Sequence, residues 1–236
     1  AEGVCFCPPR NSVFVSAEDD QQILEYDLEG KPTGAKLNVP QMFATDSIHR
    51  NYGFESLAYD SVAGLFYTAT ERPLKRDNAK GTALVRILAF DNSLNPTVQY
   101  AYTLEQPALS SKAKYYAHGV SEITALHDGR LVVMERELSV PQNYIGAKCR
   151  IRLFTITPSE GEPISAGSTK PLFKTAIADF TTHIDIGQMN YANYEGMCLG
   201  PKLKDGRQTL ILINDSQAGA GKSLYRLKDY IKVIIL

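Results

Sequence analysis

The sequence lacks the features that mark several classes of protein. It has no Trp and only four Cys among 236 residues, which is too few Cys for a disulfide-stapled scaffold. Its 25 Lys and Arg nearly balance its 26 Asp and Glu, so no overall field attracts nucleic acid or an anionic membrane. The longest apolar run, residues 230–236, has only the length of a strand. We therefore expect no nucleic-acid partner and no membrane span, and the composition predicts no particular oligomeric state.

The sequence does contain a pattern that it repeats four times, in which a glutamate precedes a short apolar segment. A second apolar segment in each copy ends in another acid. The opening glutamates are Glu2, Glu55, Glu122 and Glu195, and the matching closing acids are Glu18, Glu71, Glu135 and Asp215. Because a buried charge is costly without a partner, a charge repeated at one register must be compensated. The identity of that compensation is the best indication of function.

Short apolar segments bounded by turns predict three or four consecutive antiparallel strands in each copy. The predicted strands are residues 3–7, 13–17 and 22–27, then 57–59, 65–70, 85–91 and 98–104, then 123–126, 131–134, 150–156 and 172–180, and finally 197–199, 209–213, 223–227 and 231–236. Four-stranded units repeated around an axis form a β-propeller. The predicted fold class is therefore an all-β propeller of about four blades. A β-sandwich is the rival fold, and the repeated register argues against it.

The organisation of the chain predicts a single domain over residues 1–236, because no low-complexity linker divides it. Insertions at residues 72–82 and 137–148 account for the unequal spacing of the copies. The first copy has no lead-in loop of the kind that precedes the other three. We therefore expect upstream sequence to be missing, either a removed leader or one or more further repeats.

The opening and closing acids are predicted to lie on one face of the propeller. In an antiparallel hairpin the first residue of one strand lies beside the last residue of its partner. Each blade then places two acids at one end of its innermost hairpin, so up to eight carboxylates surround the mouth of the central channel. Clustered carboxylates repel one another and raise one another's pKa.

Two kinds of compensation remain open. A hard cation such as Ca²⁺ binds six to eight oxygens, and the four opening glutamates are then its predicted ligands. An oxygen-rich set almost free of thiolate disfavours zinc and copper. Alternatively the ring of acids is structural, bonded to backbone amides and to arginines of neighbouring blades. Arg72 and Arg136 directly follow closing acids, and Arg50 lies in the loop that leads to Glu55.

Two of the cysteines share one register of the repeat. Cys5 and Cys198 stand where the other copies have Ala58 and Ala125. This position favours a small buried side chain, and Cys packs as a small hydrophobic residue. A disulfide and a metal ligand are the alternatives.

Several segments resemble a known family, the phytase-like domain described as "esterase-like activity of phytase". The matching segments are residues 51–59, 66–74, 86–91, 119–123, 128–136 and 193–201, in the order that the family has them. The strongest pieces combine Phe54-Glu55 with Glu71-Arg72, and add Asn193-Tyr194-Glu195-Gly196-Met197. The resemblance spans nearly the whole chain. It implies a propeller, a periplasmic or secreted location, and activity on phosphate esters or other esters.

A cation in the channel mouth would polarise a phosphoryl oxygen and help to generate a nucleophilic water. The predicted catalytic groups are then Glu71, Glu135 and His118, since a carboxylate or a histidine must act as the base. Arg50, Arg72 and Arg136 are the predicted substrate-binding residues, because guanidinium groups bind phosphate bidentately. For the histidine, an ordinary solvated loop residue is the alternative, and for the arginines, pairing with neighbouring acids.

The sequence also allows a second function, as an alternative to the calcium-dependent phosphoesterase. A non-catalytic binding propeller would use the acid ring, or one enclosed cation, only to fix the ends of the blades. A serine esterase is disfavoured, because the sequence contains no Gly-x-Ser-x-Gly nucleophile motif.

Overall fold

A computed structural model describes residues 1–17, 20–78, 83–185, 187–216 and 227–236. The described strands form four antiparallel sheets, and each sheet is made of strands that follow one another along the chain. The four sheets are arranged as the blades of a propeller, which confirms the predicted fold class.

The blades differ in their number of described strands. Blade 1 contains β1 Val4–Cys7, β2 Ser12–Ser16, β3 Ile23–Tyr26 and β4 Pro32–Lys36. Blade 2 contains β5 Ala58–Asp60, β6 Leu65–Ala69, β7 Leu84–Phe90 and β8 Pro96–Thr103. Blade 3 contains β9 Tyr115–Ala125, β10 Leu131–Val140, β11 Lys148–Ile156, β12 Lys174–Asp185 and β13 Gln188–Met189. Blade 4 contains β14 Tyr194–Leu199, β15 Thr209–Asn214 and β16 Ile231–Ile235. Short 3₁₀ turns occur at Pro8–Arg10, Gln41–Phe43 and Pro158–Glu160.

The alternation of side chains along each strand explains the packing between blades. Odd and even positions of a strand face opposite sides of its sheet. One core therefore lies between blades 1 and 2, with Phe14, Phe54 and Phe66 fully buried in it. A second core joins blades 2 and 3, and a third joins blades 3 and 4. The innermost strands β1, β5, β9 and β14 contact one another in that order.

Most of the predicted strands are present within one to three residues of their predicted bounds. The strands β4 and β13 were not predicted, and the segment at residues 223–227 falls largely outside the described residues. The larger error concerns blade 3, where β9 begins eight residues earlier than predicted and β10 continues six residues further. The prediction that Glu122 and Glu135 stand at strand ends is therefore wrong. Both lie inside strands, and a β-bulge offsets them across the pair, because Glu122 is opposite Met134 and Glu135 is opposite Val120.

The four cysteines are free thiols. Cys5 is partly buried and packs against the core between blades 1 and 2, but Cys198 is exposed. The predicted burial of this register is therefore wrong for Cys198, whose side of blade 4 is not covered by another described blade.

Candidate functional site

A buried arginine links three blades at the end where the acids gather. Arg136, on β10, donates from Nη2 to Glu71 Oε1 (2.8 Å). Its Nη1 contacts Glu195 Oε1 and donates to Asn193 Oδ1 (3.2 Å). Glu71 follows β6 of blade 2, whereas Asn193 and Glu195 belong to the start of blade 4. Glu55 also acts on this guanidinium electrostatically. One arginine of blade 3 therefore holds acids of both neighbouring blades.

The electrostatics of this group favour a charged arginine and raise the pKa of a neighbouring glutamate. Burial lowers the pKa of Arg136, but the carboxylates of Glu71, Glu195 and Glu55 outweigh that effect and leave it raised. Burial also raises the pKa of Glu195, and the nearby charge of Asp215 adds to the increase, against the opposing effect of Arg136. The Asn193 Nδ2 group donates to Glu195 Oε1 (2.8 Å) and holds that carboxyl in place.

A glycine allows blade 2 to approach Arg136. Gly119 lies opposite Arg136 in the pairing of β9 with β10. A Cβ atom at Gly119 would lie 2.2 Å from the backbone oxygen of Glu71 and 2.6 Å from its Cγ. The same oxygen accepts a hydrogen bond from the amide of Val120 (2.9 Å). The absence of a side chain at position 119 therefore lets Glu71 reach the guanidinium.

We expect Gly119→Ala to destabilise the protein by about 1–3 kcal/mol, because the added methyl group forces the backbones of blades 2 and 3 apart. Urea denaturation followed by circular dichroism measures this change. Gly167→Ala is the matched control, since a Cβ there meets nothing within 4 Å. Equal stability of the two variants would show that Glu71 does not depend on this close approach.

A cavity of about 380 Å³ opens beside the arginine group. Its wall is mostly apolar and aromatic, and Asn193 and Asp215 are the polar residues at the acid end. The other lining residues are Tyr115, Leu138, Val140, Tyr144, Ala147, Ile184, Tyr191 and Leu227. Burial raises the pKa of Tyr191, so its phenol stays protonated and remains a hydrogen-bond donor at neutral pH. The cavity can therefore hold an apolar group with its polar end against Asn193 and Asp215.

The opening glutamate of blade 3 has a different environment. Glu122 is buried, and its Oε1 accepts hydrogen bonds from the amides of Leu57 (3.4 Å) and Ile123 (2.9 Å). Burial raises the pKa of Glu122 well above its ordinary value, although the backbone hydrogen bonds of Ile123, Leu57 and Met197 lower it. The carboxyl thus joins blade 3 to the backbones of blades 2 and 4, as the structural alternative for the acid ring proposes.

A second buried polar cluster lies on the other side of β10. Glu135 is fully buried and accepts from the Tyr102 hydroxyl (2.7 Å), the Glu105 amide (3.0 Å) and Lys174 Nζ (2.7 Å). The guanidinium of Arg152 lies 3.5 Å from the same carboxylate. Two cationic groups and two hydrogen-bond donors therefore compensate the Glu135 carboxylate.

Two further residues complete that cluster. Glu137, also fully buried, accepts from the amides of Ala108 and Leu109 and from the Tyr116 hydroxyl (3.0 Å). His118 is buried, and its Nε2 lies 3.2 Å from Arg152 Nη2. Burial lowers the pKa of His118, so a neutral ring that accepts this hydrogen bond is favoured. The alternative of a solvated loop histidine is wrong, because His118 lies within β9.

The remaining predicted arginine residues lie apart from Arg136. The Arg72 guanidinium stacks on the Tyr52 ring, with 3.7 Å between its Cζ atom and the ring centroid. Arg50 is exposed and, together with His49 and Lys75, lines a smaller polar cavity of about 260 Å³. The structure therefore gathers only one of the three arginines among the acids, and the substrate-binding role of all three stays a prediction.

The predicted metal ligands are not assembled around one position. Glu2 is exposed, Glu122 is held by backbone amides, and Glu195 contacts Arg136. Among the described residues no group of three or more His, Cys, Asp or Glu side chains is placed to hold a metal ion. As they are arranged, these side chains do not fit the predicted calcium site, and calcium binding stays a prediction. Glu18 lies outside the described residues.

Sequence reasoning missed several residues that define these clusters. Asn193 begins one of the segments that carry the family resemblance and stands two positions before an opening glutamate, but no role was predicted for it. Lys174 and Arg152 come from outer strands and reach Glu135 across 39 and 17 residues of sequence. No local pattern indicates such contacts.

The comparisons with known proteins identify one family. A family model described as phytase-like, "esterase-like activity of phytase", matches residues 1–217. A search of curated proteins found no match. Over the residues that the structure describes, no helix is long and apolar enough to cross a membrane.

Proposed function

Because the chain belongs to the phytase-like family, we propose that it hydrolyses esters at the acid end of blades 3 and 4. The observation that supports this proposal is the cavity of about 380 Å³ that ends at Asn193 and Asp215. Beside it stands Glu195, a carboxyl with a raised pKa. A carboxyl whose pKa is perturbed by burial and by a charged neighbour, next to a cleft, marks this end of the cavity as a candidate functional site.

The proposed chemistry uses the Asp215 carboxylate as the general base. Asp215 accepts a proton from a water molecule, and the resulting hydroxide adds to the carbonyl carbon of the ester. The bond from carbon to the leaving oxygen then breaks, and the proton passes to the alcohol. Tyr191 is the proposed donor to the developing oxyanion, since its phenol remains protonated. Glu195 and Arg136 position Asn193 at the end of the cavity.

The charges at this end favour an uncharged ester. Glu55, Glu71, Glu195 and Asp215 interact with one another or with Arg136, so four acids face one arginine. Like charges in a partly buried site repel a dianionic phosphate group. An apolar carboxylic ester avoids that repulsion and matches the aromatic wall. A bound Ca²⁺ would reverse this preference, so the calcium-dependent phosphoesterase remains the second proposal.

We expect Asp215→Asn to lower kcat for a p-nitrophenyl carboxylic ester by about 100-fold or more, because the amide cannot accept the proton of water. Initial rates measured against pH check this prediction. Asp205→Asn is the matched control, since Asp205 is exposed and pairs with its near neighbour Arg207 (2.6 Å). Equal rates for both variants would exclude Asp215 as the base.

Parallel reactions separate the alternatives. Hydrolysis of p-nitrophenyl phosphate that requires added Ca²⁺ and stops with a chelator would favour the phosphoesterase. Under that proposal Ca²⁺ also raises the Tm of the protein, and Glu71, Glu135 and His118 are the catalytic groups. No hydrolysis of either substrate, with or without Ca²⁺, would favour a binding propeller. A periplasmic or secreted location is likewise a proposal that rests on the family.

A further inference from the structure

Three hydrophobic cores join successive blades. Among the described residues, none of these cores covers the side of blade 1 that faces away from blade 2. Each of the described core clusters that joins two blades unites successive blades, 1 with 2, 2 with 3, or 3 with 4. No such cluster among the described residues unites blade 4 with blade 1. Each of these two blades therefore has one sheet face that no other described blade covers.

The uncovered face of blade 1 is apolar across three strands. Val4 and Phe6 of β1 are 62% and 46% exposed. Val4 pairs with Val15, and Phe6 pairs with Val13. The same two rows continue to Leu24 and Tyr26 on β3, and these four neighbours are only partly buried. Six apolar side chains in two adjacent rows form one continuous patch, which we call the blade 1 face.

The uncovered face of blade 4 has the same organisation. Ile213 pairs with Ile231, and Ile211 pairs with Val233. Ile213, Ile231 and Val233 are 53%, 70% and 56% exposed, and Ile235 of the same face is 49% exposed. Cys198, opposite Ile211 on β14, is also exposed. These six residues form the blade 4 face. Contiguous exposed apolar rows, unlike single exposed side chains, mark interaction surfaces.

The two faces correspond to the two sides of an existing junction. Where blade 1 meets blade 2, the inner strand of blade 1 contributes two small residues to the core, Cys5 and Cys7. Blade 2 contributes two large residues to the same core, Leu57 just before β5 and Tyr59 within it. On the blade 4 face the inner strand again presents a small residue, Cys198, three positions after its glutamate as Cys5 is. On the blade 1 face the inner strand presents large residues, Val4 and Phe6. The blade 4 face thus resembles the side of a blade that contacts the next blade along the chain. The blade 1 face resembles the side that contacts the preceding blade.

We propose that the blade 4 face of one copy of this chain packs against the blade 1 face of a second copy, so that two copies associate head to tail. Both halves of the junction are present on every chain, so a second copy satisfies both at once. With two such junctions the assembly is closed and has two-fold symmetry, which prevents further addition of chains. Each junction continues the blade-to-blade packing that the other three junctions already use.

The mass of the chain in solution tests this proposal. The 236-residue chain should sediment as a dimer, with twice its mass of 26.1 kDa. Phe6→Glu on the blade 1 face and Val233→Glu on the blade 4 face should each give a monomer, with a loss of dimer affinity of about 100-fold or more, because each buries an unpaired charge. Both positions are exposed in the single chain, so circular dichroism should remain unchanged. Phe173→Glu is the control, since Phe173 is 85% exposed and outside both faces.

A mixture of the two variants tests the direction of packing. Phe6→Glu retains an intact blade 4 face, and Val233→Glu retains an intact blade 1 face, so the mixture should recover one junction and form a mixed dimer. If either variant alone still dimerises, the packing is face to like face and the proposal is wrong. The unchanged chain must also dimerise. If it remains a monomer at concentrations up to about 100 μM, its self-association is weaker than that of specific homodimers, and the proposal is wrong. Both faces would then await another occupant.

Discussion

Arg136→Met is expected to lower the free energy of unfolding by about 3–5 kcal/mol, because it leaves buried carboxylates without their cation. Glu71 is 1% exposed, and the Arg136 guanidinium, 2.8 Å away, supplies the charge that compensates its carboxylate. Glu195 would lose its contact with Arg136 as well. Methionine nearly fills the same space, so the loss measures charge rather than a cavity. Urea denaturation followed by tyrosine fluorescence is suitable, since the chain has 13 Tyr and no Trp.

A matched arginine shows whether burial is the cause. Arg130 also pairs with a carboxylate, Asp128, at 2.6 Å, but the two side chains are 51% and 45% exposed. Arg130→Met should therefore cost only about 0–1 kcal/mol. Equal losses for Arg136→Met and Arg130→Met would contradict the assignment of Arg136 as the link between blades.

The pH dependence of the Arg136→Met variant has a definite sign. Without the guanidinium, burial raises the pKa of Glu195 further above its unfolded value, because the effect that lowered it is gone. A group with a raised folded pKa contributes stability at low pH and loses it as pH rises through that pKa. The deficit of the variant should therefore be smallest below about pH 4.3, the ordinary pKa of Glu, and should grow toward neutral pH.

The repeated glutamates predicted the fold because they mark one register of a regular unit. The short apolar segments that follow Glu55 and Glu195 predict strands, and the structure has strands there. The groups that compensate the charge of these acids could not be predicted in the same detail. The structural alternative of acids bonded to arginines of neighbouring blades describes Arg136, but the sequence did not indicate which acids it holds, since its partners Glu71 and Glu195 lie 65 and 59 residues away. Contacts between blades depend on which face of a strand each side chain takes.

The length of β10 was missed for a related reason. Glu135, Arg136 and Glu137 are three consecutive charges, a pattern typical of an exposed strand end. In the structure each face of the strand finds its own partners: Glu135 and Glu137 face the side of Lys174 and Tyr116, and Arg136 faces Glu195. Each of the three charged side chains has hydrogen-bonding partners on its own face, so the strand continues through them. Single-sequence patterns record the charges but not the distant groups that satisfy them.

Glu135→Gln is the second change with a large expected effect, a loss of about 3–5 kcal/mol in the free energy of unfolding. The neutral amide leaves Lys174 and Arg152 without the buried carboxylate that lies 2.7 Å and 3.5 Å from them. It also places an NH₂ group against donors, where no acceptor is available. Because Glu135 is fully buried, we expect the change to act on stability rather than on any reaction. Urea denaturation, with hydrolysis measured on the folded fraction, separates the two.

The same lysine supplies the control. Lys174 Nζ also lies 3.1 Å from Glu105, whose side chain is 43% exposed. Glu105→Gln also removes a carboxylate that pairs with Lys174, but this carboxylate is exposed to solvent. We therefore expect it to lower the free energy of unfolding by only about 0–1 kcal/mol. A difference of several kcal/mol between the two variants would assign Glu135 to the junction of the outer strands with β10. If Glu135→Gln instead kept full stability and lost hydrolysis, the carboxylate would belong to the reaction, and the predicted catalytic role of Glu135 would stand.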